Sequence, residues 1–215
     1  MFNFTTPLGE IAVNLLGHAS LLIKWQGKNI FVDPYSNVAD FSLQPKADLV
    51  LLTHHHYDHL DEEALKEIIT DNTIFVTNSG CKETLPKANV LKQGDEFIFD
   101  RIGIKAVYAY NMINKREDGM PYHPRGEGNG YILDFGGYRV YIAGDTELIP
   151  EMRELGVIDL AFLPKNLPYT MSDDMFIEAA KTIKPANLFA YHFFKIDIDK
   201  LKANLPAGVR LHNID

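Results

Sequence analysis

Six consecutive residues, His54 to His59, carry four side chains able to bind a divalent cation: His54, His56, Asp58 and His59. Imidazole nitrogens with a carboxylate form the mixed N/O donor set that suits zinc, manganese or iron, and no neighbouring cysteine turns the set toward a thiolate cage. A lone histidine is ordinarily a core or surface residue, and a tag-like tract lies at a terminus. This cluster is internal and follows an apolar run, so its context favours a metal centre. In extended backbone the side chains alternate, which predicts His54, His56 and Asp58 on one side and His55 and Tyr57 turned away from the metals. A mononuclear or dinuclear divalent centre is the chemistry this spacing allows.

Such a cluster needs a frame. Residues 49–52, Leu-Val-Leu-Leu, read as the buried strand that delivers it. Upstream, 11–16, 21–25 and 29–32 are short apolar runs bounded by Gly17, Gly27 and Asp33-Pro34, the pattern of an antiparallel meander. Residues 35–46 lack periodicity and are expected to form a flap near the site. Asp61 caps a helix over 62–69, a strand follows at 73–77, a short helix at 79–85, and a hairpin turns at Asp100-Arg101.

Three later positions add donors. His123 sits in the polar, Gly- and Pro-rich loop 111–129; Asp145 follows Gly144 directly after a strand; His192 ends the apolar strand 187–191. The order strand, glycine turn, strand, Asp33, then Asp48-Leu-Val-Leu-Leu is echoed by strand, glycine turn, strand, Asp145, then Asp159-Leu-Ala-Phe-Leu, which predicts two similar halves facing each other. Helices are expected over 171–183, with Ser172 as the cap, and 197–204. His18, after Gly17, and Arg125, two residues beyond His123, are candidate substrate contacts, the second able to clamp an anion.

Composition bounds the rest. A chain of 215 residues with 46% hydrophobic content has ample material for one domain spanning 1–215, and its single cysteine rules out an internal disulfide, in keeping with a reducing, cytoplasmic location. No signal-peptide pattern or membrane-length apolar run is present. A net charge of −8 disfavours nucleic acid as a partner, because that affinity rests on Lys and Arg releasing counterions. A small-molecule substrate fits better, and assembly into homo-oligomers stays open.

The motif His54-His55-His56-Tyr57-Asp58-His59, with a later loop histidine, Asp145 after glycine, and His192 after a late strand, resembles the metallo-β-lactamase superfamily over nearly the whole chain. Gly17-His18-Ala19-Ser20, Asp33-Pro34, Gly144-Asp145-Thr146 and Tyr169-Thr170-Met171 narrow the likeness to small metal-dependent hydrolases related to ascorbate-6-phosphate lactonase and N-acyl phosphatidylethanolamine phospholipase D. That resemblance implies an α/β fold, a four-layer αββα sandwich of two mixed β-sheets flanked by helices. It also implies two divalent metal ions, zinc foremost with manganese or iron as alternatives. His54, His56 and His123 would hold one ion, Asp58, His59 and His192 the other, and Asp145 would bridge them.

Two such ions activate a shared water and polarise an ester, lactone, amide or phosphodiester, while Asp58 orients that water or takes its proton. Competing readings are a nucleotide or RNA phosphodiesterase and a metal-binding module without turnover. An oxidoreductase is disfavoured because the diiron relatives carry Glu where this chain has His56. The segment 163–168 places Lys165 and Asn166 where a glycine turn is expected, which predicts a reshaped pocket.

Overall fold

Alternation of side chains along the strands explains the architecture of the computed structural model, which describes residues 1–213. In the first sheet β1 (Phe2–Thr6), β2 (Gly9–Gly17), β3 (Ser20–Trp25), β4 (Lys28–Val32), β5 (Leu49–Leu51), β6 (Ile74–Thr77) and β7 (Asn89–Val90) lie in sequence order. The second contains β8 (Glu96–Phe99), β9 (Ile102–Ala109), β10 (Gly128–Asp134), β11 (Arg139–Ile142), β12 (Leu160–Pro164), β13 (Asn187–Tyr191) and β14 (Arg210–Leu211), again in order. Each sheet begins with three antiparallel pairings and continues with three parallel ones. The echo in the sequence is therefore a repeat in the fold.

Ile30 and Val32 of β4, Leu49 and Leu51 of β5, Val140 and Ile142 of β11, and Phe162 of β12 face the space between the sheets, where the largest core cluster sits. Their neighbours point outward: Phe31 and Val50 toward α1 (Glu62–Ile68), Tyr141 and Ala161 toward α2 (Asp173–Ile183) and α3 (Ile198–Asn204). A strand buried on both faces must be apolar throughout, which is why β5 and β12 read as continuous hydrophobic runs. The result is the expected four-layer sandwich, helix, sheet, sheet, helix.

The helices begin where the sequence places caps. Asp61 accepts from the Glu63 and Ala64 amides, Ser172 from Met175 and Asp197 from Lys200, each cap worth about 1 kcal/mol. Residues 79–85 form only a 3-10 turn at Ser79–Cys81, capped by Asn78, rather than the expected short helix.

The segment 35–46 also departs from expectation. Phe41 is buried against Phe31 and Ala47 on the outer face of the first sheet, and the segment contributes no residue to the two cavities beside the histidine cluster. Burial of that one aromatic anchors the loop on the sheet, while Tyr35 at its start packs near His18 and Tyr57, with ring centroids 5.7 and 6.1 Å away, so the segment borders the site without lining its cavities. No helix among the described residues is long and apolar enough to cross a membrane.

Candidate metal centre

The carboxyl ends of the parallel strands in both sheets point to one rim, the place where α/β sheets ordinarily present ligand-binding groups. Asp33 follows β4, the histidine cluster follows β5, Asp145 follows β11, and His192 follows β13. His18 reaches the same rim from the turn between β2 and β3, and its carbonyl accepts the His192 amide at 2.8 Å, a direct tie between the two sheets. His18, Asp33 and His192 all adopt left-handed backbone, with φ of 50°, 42° and 52°. That conformation costs non-glycine residues about 1–2 kcal/mol each and persists only where the surroundings fix it.

Eight side chains converge there. The ligand atoms of His54, His56 and His123 lie within 4.8 Å of one another, as do those of His18, Asp58, His59 and His192, and those of His54, His59 and Asp145. Asp145 Oδ2 stands 3.1 Å from His192 Nε2, 3.3 Å from His123 Nε2 and 3.5 Å from His59 Nε2. It thus reaches imidazoles of both histidine groups. The sequence expectation that Asp58 shares a side with His54 and His56 is corrected by the backbone. The chain turns at His56, whose carbonyl takes the amides of His59 at 3.0 Å and Leu60 at 2.8 Å, and the turn swings Asp58 toward His18 and His192. His55 and Tyr57 join none of the ligand groups, as expected, though both line the cavity in front of the centre.

The centre is braced by residues behind it. Asp33, fully buried, accepts from the Thr53 amide at 2.8 Å, from the Thr53 hydroxyl at 2.6 Å and from His59 Nδ1 at 2.8 Å. With Nδ1 so engaged, Nε2 of His59 is left to face Asp145, the arrangement that fixes tautomer and ring orientation in metal-binding histidines. Asn111 performs the same service for His123, its Oδ1 taking both the amide at 2.9 Å and Nδ1 at 2.7 Å.

Asn111 is held in turn by Glu147, whose buried carboxylate accepts from the amides of Met112, Ile113 and Asn114 at 2.7, 2.7 and 2.8 Å. Two core tyrosines set the backbone at the rim. Tyr131 donates to the Leu52 carbonyl and Tyr191 accepts from the Gly144 amide, both at 2.8 Å. Gly144 itself has φ +67°, and a Cβ there would stand 2.7 Å from the Asn129 carbonyl oxygen, so no other residue fits before Asp145.

Electrostatics divide the cluster. Burial pushes His54, His56 and His123 down, His123 to about 4, so these imidazoles stay neutral with lone pairs free. Burial also opposes charge on His59, but Asp145 and Asp33 outweigh it and hold that imidazole well above its ordinary value. For Asp58, burial is overcome by the His18 hydrogen bond at 3.0 Å and by His59, which bring its carboxyl to about 2. Asp145 is held well below the carboxylate range by His192 and His59 against its own burial.

His59 Nε2, Asp145 Oδ1 and both ring nitrogens of His192 are buried without a hydrogen-bond partner among the described residues. Buried polar atoms are rarely left so, and four of them on two imidazoles and one carboxylate, converging at one rim, suit a cationic guest.

Of the residues singled out in the sequence, Arg125 is the one set apart. Its guanidinium pairs with Glu151 at 2.8 Å and lies over the Tyr108 ring at 4.1 Å, and it lines neither cavity at the centre. Arg116 does line both of them. Sequence reasoning also passed over Thr53, Asn111 and Glu147, which carry no motif of their own. The only signal was position, Thr53 just before the cluster and Glu147 two residues after Asp145. Lys165, in the segment expected to reshape the pocket, turns to Asp173 at 2.8 Å, whereas Asn166 lines the cavity.

Known proteins resemble this chain in sequence and in fold. The model of the beta-lactamase superfamily domain matches residues 12–192. A UPF0173 metal-dependent hydrolase of Thermoplasma acidophilum is 33% identical over 201 residues, 85% of this chain and 83% of its own. A crystal structure of a protein from Parabacteroides distasonis described as a metal-dependent hydrolase is 42% identical, covers 100% of this chain and 98% of its own, and superposes with a TM-score of 0.92. Igni18, a metallo hydrolase from Ignicoccus hospitalis, has the same fold at 24% identity, with 94% of each chain covered and a TM-score of 0.75.

Proposed function

This chain belongs to the beta-lactamase superfamily and is a metal-dependent hydrolase, and from that premise we propose that it cleaves an ester, lactone, amide or phosphodiester of a small molecule using two divalent cations. His54, His56 and His123 would hold one cation and Asp58, His59 and His192 the second, with Asp145 shared between them. Zinc suits this donor set, as do manganese and iron. The observation that carries the dinuclear reading is the single buried oxygen of Asp145 within 3.1–3.5 Å of three imidazoles drawn from both groups.

When bound, such a cation pair supplies a water activated near neutral pH and an electrophile for the scissile bond. The protein's own residues do the positioning. Asp58 is ionised across the neutral range, so it serves as a ligand and as the hydrogen-bond acceptor that aligns the attacking water. It is too weak a base to store the proton for long. His18 fixes the Asp58 oxygen at 3.0 Å, and Asp33 fixes His59.

Elemental analysis of the purified protein, together with rates on a lactone and aryl ester panel and on bis-p-nitrophenyl phosphate, tests the reading. About two cations per chain with turnover that disappears on chelation support it. One cation or fewer, or full activity after chelation, sinks it. Preference for the phosphodiester would move the substrate class within the same mechanism.

A further inference from the structure

The walls of the cavity in front of the centre carry information about what enters it. The larger of two adjoining cavities, about 650 Å³, is lined beyond the histidine and aspartate groups chiefly by Tyr57, Tyr122, Tyr169, Phe194, Arg116 and Asn166. That volume suits a small molecule. Phe194 is 82% exposed, Tyr57 75% and Tyr169 42%, so these rings are not core residues. Their apolar faces are open for a flat group to cover.

Arg116 is the one cationic residue outside the centre on that wall. Among the described residues it makes no ion pair, unlike Arg125 with Glu151. Its side chain is nevertheless held, because one terminal nitrogen donates to the Tyr122 carbonyl at 2.9 Å, and its backbone closes a turn through its amide to the Met120 carbonyl at 2.7 Å. An oriented guanidinium with donors left over and no protein carboxylate to take them is a receptor for an oxyanion.

The surroundings decide which oxyanion. Among the described residues Arg116 is the one Arg or Lys that lines either cavity, while Asp118 and Glu127 line the adjoining one and the chain carries a net charge of −8. Outside the metal groups, a dianionic phosphate on that wall would meet the single charge of Arg116 beside Asp118 and Glu127. A carboxylate matches the single guanidinium in charge and in planar geometry.

We propose that the substrate is a small ester, amide or lactone bearing a carboxylate that Arg116 binds and a flat apolar group that lies on Tyr57, Tyr169 and Phe194, with the scissile bond between them over Asp58 and Asp145. This assignment rests on the hydrolytic reading of the same centre and adds the substrate class to it.

The test compares three aryl esters on the metal-loaded protein: 4-nitrophenyl hydrogen succinate, its neutral methyl ester, and 4-nitrophenyl 3-phosphonopropanoate. The enzymes are the wild type, Arg116→Gln and Arg116→Lys. The wild type is expected to favour the carboxylate over the methyl ester at least about 10-fold in kcat/KM, the scale of one charge-assisted contact. Arg116→Gln brings that ratio close to one through KM, and Arg116→Lys recovers part of it. An unchanged ratio in Arg116→Gln, or a wild type that prefers the phosphonate, overturns the proposal.

Calorimetric binding of 3-phenylpropanoate separates this proposal from the hydrolytic reading. Binding that weakens in Arg116→Gln while none of the esters turns over keeps the carboxylate subsite and defeats the hydrolase assignment. Binding indifferent to Arg116 defeats the subsite alone.

Discussion

Replacing Glu147 with Ala removes no residue that could touch a cation, yet it should cost the centre one of its two ligand groups. The carboxylate accepts three backbone amides, from Met112, Ile113 and Asn114, and the side-chain amides of Asn114 at 2.6 Å and Asn111 at 3.2 Å. Hydrogen bonds to a charged acceptor are worth about 1.5–3 kcal/mol, but Met112 and Ile113 are exposed and their amides can turn to water. Counting only the three backbone bonds at about 1 kcal/mol each gives a loss of about 3 kcal/mol, or about 150-fold in the population of the ordered loop.

For a chain of 215 residues that loss lowers Tm by about 6–12 °C. The functional consequence travels through Asn111, which loses its 3.2 Å bond to Glu147 and keeps that to the Tyr169 carbonyl at 2.9 Å, so its hold on His123 slackens. Removing such an outer partner ordinarily weakens metal affinity about 10–100-fold. Competition titration against a chelator, run beside thermal melts, reads both effects, and Glu147→Gln, which keeps one acceptor oxygen without the charge, should fall between. If Glu147→Ala melts lower but binds both cations as tightly as the wild type, His123 does not depend on this loop and the coupling through Asn111 is refuted.

The same carboxylate gives the loop a pH dependence. Burial raises its pKa, but the amides of Ile113 and Asn114 and their neighbours win and depress it below the ordinary 4.5. A depressed acid contributes stability that is fully present above its unfolded value and lost as pH falls through the folded one, so acid should release loop 111–127 before the sheets unfold.

Asp58→Ala and His192→Ala should each abolish turnover, with the second lowering the metal content from two toward one by elemental analysis; wild-type rates in both would refute the site assignment. Asp145 and Asp33 raise the His59 pKa against its burial, so a metal entering its group competes with a proton there, and affinity should climb more steeply from pH 6 to 8 than in the group of His54, His56 and His123, whose imidazoles burial pushes down; equal pH slopes at both sites in a cobalt titration would count against this. Asp33→Asn keeps the shape but loses the charge on His59 Nδ1, and should weaken the second cation about 10–100-fold with the fold retained by circular dichroism. Gly144→Ala forces a Cβ to within 2.7 Å of the Asn129 carbonyl at φ +67°, and a loss of about 2–4 kcal/mol in denaturant titration is expected, with an unchanged midpoint as the contrary result.

Most of the frame was legible because its strands are buried on one or both faces and therefore spell their burial in β-branched and aliphatic residues. What escaped was structure made by distant partners. β1, Phe-Asn-Phe-Thr-Thr, has little to mark it locally; it is a strand because Phe2 and Phe4 pack on Phe189 of the other sheet, with centroids 4.7 and 6.4 Å away. At the centre, the convergence of the candidate ligands at strand ends could be read because a strand fixes where its last residue points. The loop could not be read in that way. Arg125 is two residues from His123, but the chain turns between them and carries it to the outer face over Tyr108. Arg116, seven residues upstream, is brought to the cavity by a turn that only the Met120 carbonyl reveals.

The repeat of strand order in the two sheets puts Asp33 and Asp145 at equivalent points, each just after the fourth strand of its sheet, and yet only one of them faces the cavity. The difference lies in the residues packed against each carboxylate. After β5 the first half places Thr53, whose amide and hydroxyl occupy both Asp33 oxygens, and His59 Nδ1 takes the remaining face of one of them. Nothing equivalent covers Asp145, whose Oδ1 has no hydrogen-bond partner among the described residues and whose Oδ2 looks onto three imidazoles. One frame therefore supplies the same carboxylate twice, once as a brace and once as the proposed shared ligand. The assignment is made by the residues packed on each carboxylate and not by the position in the sheet, which is why equivalence of the two halves could be read from the chain while the division of labour between them entered only through the family resemblance.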